Sequence, residues 1–137
     1  MSLVLLPAEV AVLLPIQITI EVEDRMNWID LTTEKDLETI IEASHSKPQL
    51  IFKHSTRCSI SSIAKSRMDK SNVDNTCDCY YLDLIAHRNI SSLIAEKFHV
   101  HHESPQVILI QNGECIYDES HNSIRPDDIL ENVGNKN

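Results

Sequence analysis

The residue with the clearest capacity for chemistry is Cys58, which follows the apolar run at 50–52 and a short polar stretch. Apolar side chains recur at helical spacing after it, so Cys58 is expected at the start of a helix. Only the thiolate form of a cysteine attacks a disulfide, and a helix N-terminus favours the anion through its dipole and its open backbone N–H groups. These features predict a reactive cysteine, whereas the alternative is a buried and inert one.

The side chains just before Cys58 are polar or cationic. Arg57 directly precedes it, and Lys53 and His54 would add positive charge if they turned toward the sulfur. Positive charge near the sulfur favours the thiolate, and hydrogen bonds from charged donors are stronger than neutral ones. Arg57 and His54 are therefore expected to support the Cys58 thiolate.

The residues after Cys58 decide between one-thiol and two-thiol chemistry. Ser61 stands three residues after Cys58, where a dithiol redox protein has its second cysteine. The expected chemistry is therefore monothiol: the thiolate attacks a mixed disulfide, takes the small thiol onto itself, and is released by a second small thiol or a reductase. The Ser61 hydroxyl is expected to hydrogen-bond the sulfur, and Ser59 falls beside it in the first helical turn.

A metal site is a weaker alternative. Its potential ligands are two cysteines and three histidines: Cys77, Cys79, His99, His101 and His102. Structural zinc sites usually use Cys-x2-Cys spacing rather than this Cys-x-Cys pair, which favours buried core cysteines and a solvated histidine loop. A disulfide between this pair and Cys58 is a further alternative. Cys115 is expected to be a packed or edge residue without chemistry.

Strand and helix patterns alternate from Trp28 onward, which is typical of an α/β domain. Strands are predicted over 28–31, 49–53, 80–84, 106–111 and 114–117. Helices are predicted over 34–43 after an N-cap at Thr33, and over 59–68, 90–98 and 126–133. The Asn112-Gly113 pair predicts a type I′ hairpin turn. The expected order is βαβαβαββα in a single domain.

The helix after Cys58 has the pattern of an amphipathic helix. Four apolar residues share one face: Ile60, Ile63, Ala64 and Met68. Lys65, Arg67 and Asp69 fall elsewhere, so the apolar face is expected to point toward a core.

Composition limits the classes of partner. The chain has 137 residues, enough for one packed core, with 21 acidic against 12 basic residues and a net charge of −9. That charge repels a phosphate backbone, and no local basic patch opposes it, so nucleic acid is not expected as a partner. Four cysteines do not make a dense disulfide framework, which favours reduced thiols in the cytoplasm.

Residues 1–25 are largely apolar but lack the basic start of a signal peptide. Glu9 lies within the segment, and Pro7 and Pro15 interrupt it, which argues against a membrane span. We expect an extension that the domain over 26–137 does not need: a tag, an upstream start, or an added edge strand at 16–22. No membrane association is expected.

The order of elements, with a cysteine opening the helix after the second strand and a proline just before the hairpin, resembles the thioredoxin fold. Three segments are also similar to the YtxJ-like bacilliredoxin family: Phe-Lys-His-Ser-Thr-Arg-Cys-Ser-Ile-Ser at 52–61, Tyr-Tyr-Leu-Asp at 80–83 and Glu-Ser-Pro-Gln-Val at 103–107. The resemblance extends over about 26–129. It implies a thioredoxin-like α/β fold with a mixed central sheet flanked by helices.

The resemblance also implies a reaction. Cys58 would remove bacillithiol, a low-molecular-weight thiol, from mixed disulfides on client proteins, with bacillithiol as co-substrate and no other cofactor. Ser104-Pro105 would form a cis peptide that packs beside the thiol and presents backbone to a bound disulfide. Arg57 and Ser59 replace the threonine and proline usual in the family, which bears on the local electrostatics and on the rigidity of the first helical turn.

Two other classes of function stay open. One is a non-catalytic thioredoxin-fold stress or binding module, in which Cys58 would react sluggishly. The other is a metal-binding protein that uses Cys77, Cys79 and the histidine loop and retains stoichiometric metal. If the loop histidines are more than solvated side chains, they would steer an anionic thiol such as bacillithiol.

Overall fold

The described part of the computed structural model, residues 26–134, is organised around a five-stranded mixed sheet. The strands are β1 (Trp28–Asp30), β2 (Gln49–His54), β3 (Asp78–Asp83), β4 (Gln106–Gln111) and β5 (Glu114–Ser120). Their order across the sheet is β1-β3-β2-β4-β5. β3 pairs in parallel with β1 and β2, whereas β4 pairs antiparallel with β2 and β5. β2 is thus the central strand, and all its residues are buried.

Four α-helices connect or follow these strands within the described residues. They are α1 (Glu34–Ala43), α2 (Ser59–Asp69), α3 (Arg88–Phe98) and α4 (Pro126–Asn132). α1 and α3 pack into the apolar cluster on one face of the sheet, and α2 and α4 pack into the cluster on the other. Helices on both faces explain why the middle of β2, Leu50 to Phe52, is a continuous apolar run rather than an alternating one. The predicted order βαβαβαββα is confirmed.

The observed bounds differ from the predicted ones mainly at β3 and β5. β3 begins at Asp78, two residues earlier than predicted, because Asp78 pairs with Gln49 at the start of β2. β5 continues to Ser120, three residues beyond the prediction, because Ser120 pairs with Gln106 at the start of β4. In both strands the partner strand, rather than local apolarity, sets the length.

The predicted apolar face of α2 is partly wrong. Ala64 and Met68 are buried as expected, but Ile60 is 38 % exposed and Ile63 is 54 % exposed. The third buried position of the helix is Ser61, whose hydroxyl has hydrogen-bond partners in the interior. At helical spacing, an arc centred on Ser61, Ala64 and Met68 leaves Ile60 at its edge and Ile63 outside it.

The turn between β4 and β5 has the predicted conformation. Asn112 has φ 55° and Gly113 has φ 79°, and a type I′ turn requires a positive φ at both central residues. Two hydrogen bonds to Ser44 connect this turn to the end of α1. The Asn112 amide donates to the Ser44 carbonyl at 2.9 Å, and the Gly113 amide donates to the Ser44 Oγ at 2.9 Å.

The extension predicted over residues 1–25, including the strand at 16–22, lies outside the described residues, as do residues 135–137. Within 26–134, no helix has the length and apolarity needed to cross a membrane.

Candidate active site

Cys58 occupies the N-cap position of α2 and is partly exposed. Its backbone is extended, with φ −115° and ψ 124°, and its carbonyl accepts a hydrogen bond from the Ser62 amide at 3.1 Å. An N-cap residue usually carries a side-chain oxygen that accepts hydrogen bonds from amides of the first helical turn. The thiol of Cys58 makes no such bond. The first-turn N–H groups can therefore stabilise a thiolate at this position.

The short turn before α2 is held at both of its ends. The Cys58 amide donates to the Ser55 carbonyl at 3.2 Å, which closes the turn in front of the helix. The Ser55 amide in turn donates to Oγ of Ser61 at 3.0 Å. These bonds fix the direction in which the chain leaves β2 and hence the position of Cys58.

Ser61 is fully buried, and its hydroxyl bonds to groups other than the Cys58 sulfur. Besides accepting from the Ser55 amide, its Oγ lies 2.7 Å from Nδ1 of His54. The hydrogen bond expected between Ser61 and Cys58 is therefore not formed. The position of the absent second cysteine is instead a polar link between α2 and the end of β2.

His54 ends β2 with its imidazole inside a group of aromatic rings under α2. The ring stacks on Phe52 with centroids 5.7 Å apart and lies 5.5 Å from the ring of Tyr81. Burial lowers the pKa of His54, and the positive charge of Lys65 lowers it further, although nearby carboxylates oppose both effects. The imidazole is thus neutral at pH 7 and brings no positive charge to Cys58.

Arg57 and Ser59 flank Cys58 on the surface. Both are exposed, and Ser59 is the first residue of α2. Arg57 forms no ion pair with any residue of the described range. Because exposed charges are screened by salt, its effect on the sulfur is expected to be modest and dependent on ionic strength.

Lys53 points to the other face of the sheet, where α1 and α3 pack. Its side chain is 0 % exposed, and its Nζ lies 2.7 Å from Nδ1 of His102. Burial lowers the pKa of Lys53 to about 8, although the charges of Glu103 and Asp118 oppose this effect. Sequence reasoning missed this pair. The available signal was a lysine inside the run of a central strand, where a charged side chain needs a partner.

The Ser104–Pro105 peptide bond is cis, and Pro105 is buried. The next residue, Gln106, pairs with Lys53 in the sheet, so Pro105 lies at the end of β2 from which the chain passes to Cys58. Oγ of Ser104 is buried and has no hydrogen-bond partner among the described residues. Cys58 and the Ser104-Pro105 pair therefore lie at the same edge of the sheet.

Cys77 and Cys79 adjoin the opposite edge, at the start of β3, and both are buried. Burial raises the pKa of Cys77 to about 11 and raises that of Cys79 as well. β3 has six residues, and a strand rises about 3.3 Å per residue, so the two edges lie roughly 16–20 Å apart. The Cα atoms of a disulfide lie only about 4.4–6.8 Å apart. A disulfide with Cys58 is therefore wrong for this fold.

The remaining alternatives also concern cysteine and histidine. Cys115 is half-buried on β5, and burial raises its pKa to about 11. His99, His101 and His102 are exposed. Across residues 26–134, no group of three or more potential metal ligands comes together. The metal-site alternative thus has no support in the described part of the chain.

Comparison with known proteins supports a thioredoxin-like fold with a redox-active cysteine. A family model described as "Monothiol bacilliredoxin BrxC" matches residues 29–129. A solved structure described as having a thioredoxin fold is 32 % identical, with a TM-score of 0.70, over 77 % of this chain and 93 % of that chain.

Thioredoxins of lower identity share the fold. The Trypanosoma brucei brucei protein is 13 % identical with a TM-score of 0.64, over 80 % of this chain and 89 % of its own. The Schistosoma mansoni protein is 16 % identical with a TM-score of 0.63, over 80 % of this chain and 98 % of its own.

The predicted thioredoxin-like α/β fold is thereby confirmed. The family match and the thioredoxin fold support a thiol–disulfide redox function for the chain, and Cys58 lies within the matched residues. The chain belongs to the monothiol bacilliredoxin BrxC family.

Proposed function

We propose that this protein removes bacillithiol from mixed disulfides on client proteins through a monothiol reaction at Cys58. The observation that carries the proposal is the position of this cysteine. It is partly exposed, lies at the N-cap of α2, and has a sulfur without a capping hydrogen bond. Position 61, where a second thiol would stand, holds a buried serine whose hydroxyl is already engaged.

The reaction proceeds in two exchanges. The Cys58 thiolate attacks the bacillithiol sulfur of the mixed disulfide, the bond to the client breaks, and the client leaves as a thiolate that takes up a proton. Cys58 then carries bacillithiol as a mixed disulfide. A second bacillithiol attacks the bound bacillithiol sulfur, which releases the Cys58 thiolate and forms bacillithiol disulfide. A dithiol reductase can replace the second bacillithiol and supply the same two electrons.

Ser104 and Pro105 are proposed to position the mixed disulfide. They lie at the same edge of the sheet as Cys58, and their backbone can run alongside an incoming chain. Oγ of Ser104 is buried and has no hydrogen-bond partner within residues 26–134, which leaves its hydroxyl available for a hydrogen bond to the bound disulfide. Arg57 and Ser59, exposed on either side of Cys58, are proposed to contact the small thiol or the client.

The cytoplasm is the proposed site of action. The second exchange needs a pool of reduced thiol or a dithiol reductase, and reducing compartments maintain both.

Transfer of the small thiol tests this function directly. A client peptide carrying bacillithiol as a mixed disulfide is incubated with the reduced protein, and both products are followed by mass spectrometry. We expect bacillithiol to appear on Cys58 while the peptide thiol is released. Cys58→Ser should abolish transfer, whereas Cys115→Ser, which removes another partly exposed thiol, should preserve it.

Two results would contradict the proposal. Bacillithiol that stays on the peptide would favour a non-catalytic binding module. Transfer that persists in Cys58→Ser would assign the chemistry to another cysteine.

A further inference from the structure

A cavity beside the first turns of α3 has no role in the exchange steps described above. It has a volume of about 420 Å³, and its lining residues are Leu84, Arg88, Ser91, Ser92, Ala95 and His102. None of these carries a carboxylate, although the chain has 21 acidic residues and a net charge of −9. The polar groups present are a guanidinium, an imidazole and two hydroxyls, all able to donate hydrogen bonds. Such a lining suits an anion.

A buried ammonium group lies behind this lining. Nζ of Lys53 lies 2.7 Å from Nδ1 of His102, and Oγ of Ser91 lies 3.3 Å from the same nitrogen. Because the pKa of Lys53 is about 8, the amine is protonated at pH 7. An ammonium only donates, so Nδ1 accepts and the ring proton of His102 sits on Nε2. His102 thereby offers an N–H donor while Lys53 supplies a positive charge.

The acidic groups nearest to this pair are engaged elsewhere. The Glu103 carboxylate lies 3.3 Å from Nε2 of His121 and 3.6 Å from Nε2 of His101. The Asp118 carboxylate accepts a hydrogen bond from the Gln106 side chain at 3.4 Å. Both carboxylates raise the pKa of Lys53 and so favour its charged form, although neither lies in the cavity lining.

Arg88 supplies the exposed cation of the cavity. It is the first residue of α3, and it forms no ion pair with any residue between 26 and 134. A guanidinium with its donors unused matches a carboxylate in a two-point arrangement.

Part of the cavity lining lies at the same edge of the sheet as Cys58. The Leu84 amide, one residue beyond β3, donates to the His54 carbonyl at 3.0 Å, and Cys58 follows His54 by four residues. His102 lies two residues before Ser104. Ligands of open α/β sheets bind outside the carboxyl ends of the strands, which is where both features lie.

We propose that this cavity binds a carboxylate of the low-molecular-weight thiol, held by Arg88, Ser92 and His102, while the thiol sulfur is exchanged at Cys58. The assignment rests on the proposed function, and it adds to that function a subsite, apart from Cys58, that recognises a carboxylate of the small thiol. Arg88 and His102 are then the residues that distinguish an anionic thiol from a neutral one.

A binding measurement tests the cavity without any turnover. The full chain carrying Cys58→Ser is titrated with succinate, a small dicarboxylate, while the amide signals of Ser91, Ser92 and His102 are followed by NMR. We expect saturable shifts at these amides and none with succinamide, the neutral analogue. Adding Arg88→Gln should weaken succinate binding at least about tenfold, the loss expected for one charge-assisted hydrogen bond.

A control variant separates local contacts from net charge. Lys97→Gln removes the same charge from the last turn of α3, outside the cavity lining, and should leave succinate binding unchanged.

A kinetic measurement tests whether the cavity serves the reaction. Mixed disulfides of one client peptide with bacillithiol and with 2-mercaptoethanol, a neutral thiol, are compared through kcat/KM. Arg88→Gln should lower the kcat/KM for the bacillithiol disulfide, divided by that for the 2-mercaptoethanol disulfide, at least about tenfold. Lys97→Gln should leave this ratio unchanged.

The outcomes separate this proposal from the proposed function. An unchanged ratio in Arg88→Gln, with transfer intact, would overturn the assignment of the cavity while the function stands. Absence of succinate shifts at Ser91, Ser92 and His102 would overturn it as well. If the wild-type chain transfers neither thiol, the proposed function fails, and succinate shifts would then identify a cavity for free anions rather than for substrate.

Discussion

Oγ of Ser61 lies 2.7 Å from Nδ1 of His54 and accepts a hydrogen bond from the Ser55 amide at 3.0 Å. The position at which a dithiol protein keeps its second sulfur is therefore a structural link between α2 and β2. The serine is fully buried, and it orients the helix whose N-cap is Cys58. Ser61 therefore contributes hydrogen bonds to the fold at the position where a second thiol would make the chemistry dithiol.

Removing the Ser61 hydroxyl should cost stability. Ser61→Ala leaves the Ser55 amide and the His54 ring nitrogen without a partner in the interior, which lowers the free energy of unfolding by about 1–3 kcal/mol. Urea denaturation measures the change. Ser62→Ala, at the next and exposed position of α2, should stay within about 0.5 kcal/mol of the wild type. Equal stability of the two variants would show that the link is energetically unimportant.

Placing a thiol at position 61 should change the chemistry from monothiol to dithiol. In Ser61→Cys, the new thiol stands three residues after Cys58, the spacing at which a resolving cysteine attacks the adduct. We expect bacillithiol on Cys58 to be released with formation of a disulfide between positions 58 and 61, detected by mass spectrometry. A persistent adduct on Cys58 would show that the buried position 61 is out of reach of that sulfur.

Most of the fold was predictable because its signals are local. Thr33 as N-cap, the Asn112-Gly113 turn and the apolar run of β4 each mark an element through its own residues, and the structure has all three. The bounds of β3 and β5 were not predictable in this way. Asp78 and Ser120 have no strand-like character, and they extend their strands because a neighbouring strand continues beside them.

The position of Cys58 at a helix start could be predicted from the sequence, but the hydrogen-bond partners of the side chains around it could not. The helix start at Cys58 follows from the apolar spacing after it, whereas Ser104-Pro105 was expected from the resemblance to bacilliredoxins. The partners of Lys53, His54 and Ser61 depend on which face each side chain enters, and this is set by packing across the sheet. His54 and Lys53 therefore lie on opposite faces, and neither supplies charge to the sulfur.

The exposed isoleucines of α2 should contribute little to stability. Ile63 is 54 % exposed and Met68 is fully buried, although both belong to the apolar pattern of the helix. Ile63→Ala should change the free energy of unfolding by less than about 1 kcal/mol, whereas Met68→Ala should lower it by about 2–5 kcal/mol. Thermal or urea denaturation of both variants measures the contrast. A large loss in Ile63→Ala would contradict the observed orientation of α2.

The buried Lys53 should make stability depend on alkaline pH. Its pKa is about 8 in the folded chain, below the value of about 10.4 for an unfolded chain. Between these pH values the unfolded state binds more protons at this residue, so Lys53 alone should raise the free energy of unfolding with pH by at most about 3 kcal/mol. The raised pKa values of Cys77, Cys79 and Cys115 act in the opposite direction above about pH 8.5, so the Lys53 contribution is measured by urea denaturation at pH 7 to 10 as a difference between variants.

Matched lysine variants isolate the Lys53 contribution. The free energy of unfolding of Lys53→Met should fall relative to the wild type as pH rises from 7 to 10, and Lys97→Met, which replaces an exposed lysine, should follow the wild type. A Lys53→Met variant with the same pH dependence as the wild type would contradict the assignment to Lys53.

The central claim is that Cys58 is the one cysteine of the described chain poised to react, and site-resolved alkylation tests it most directly. The reduced protein is alkylated between pH 6 and 9, and the modified cysteine is located by peptide mass spectrometry. Burial raises the pKa of Cys77, Cys79 and Cys115, so these thiols should react slowly. Cys58 should react first across this range, because its sulfur is partly exposed at the N-cap of α2. Alkylation of Cys115 before Cys58, or a Cys58 that stays unmodified while the other thiols react, would contradict the account.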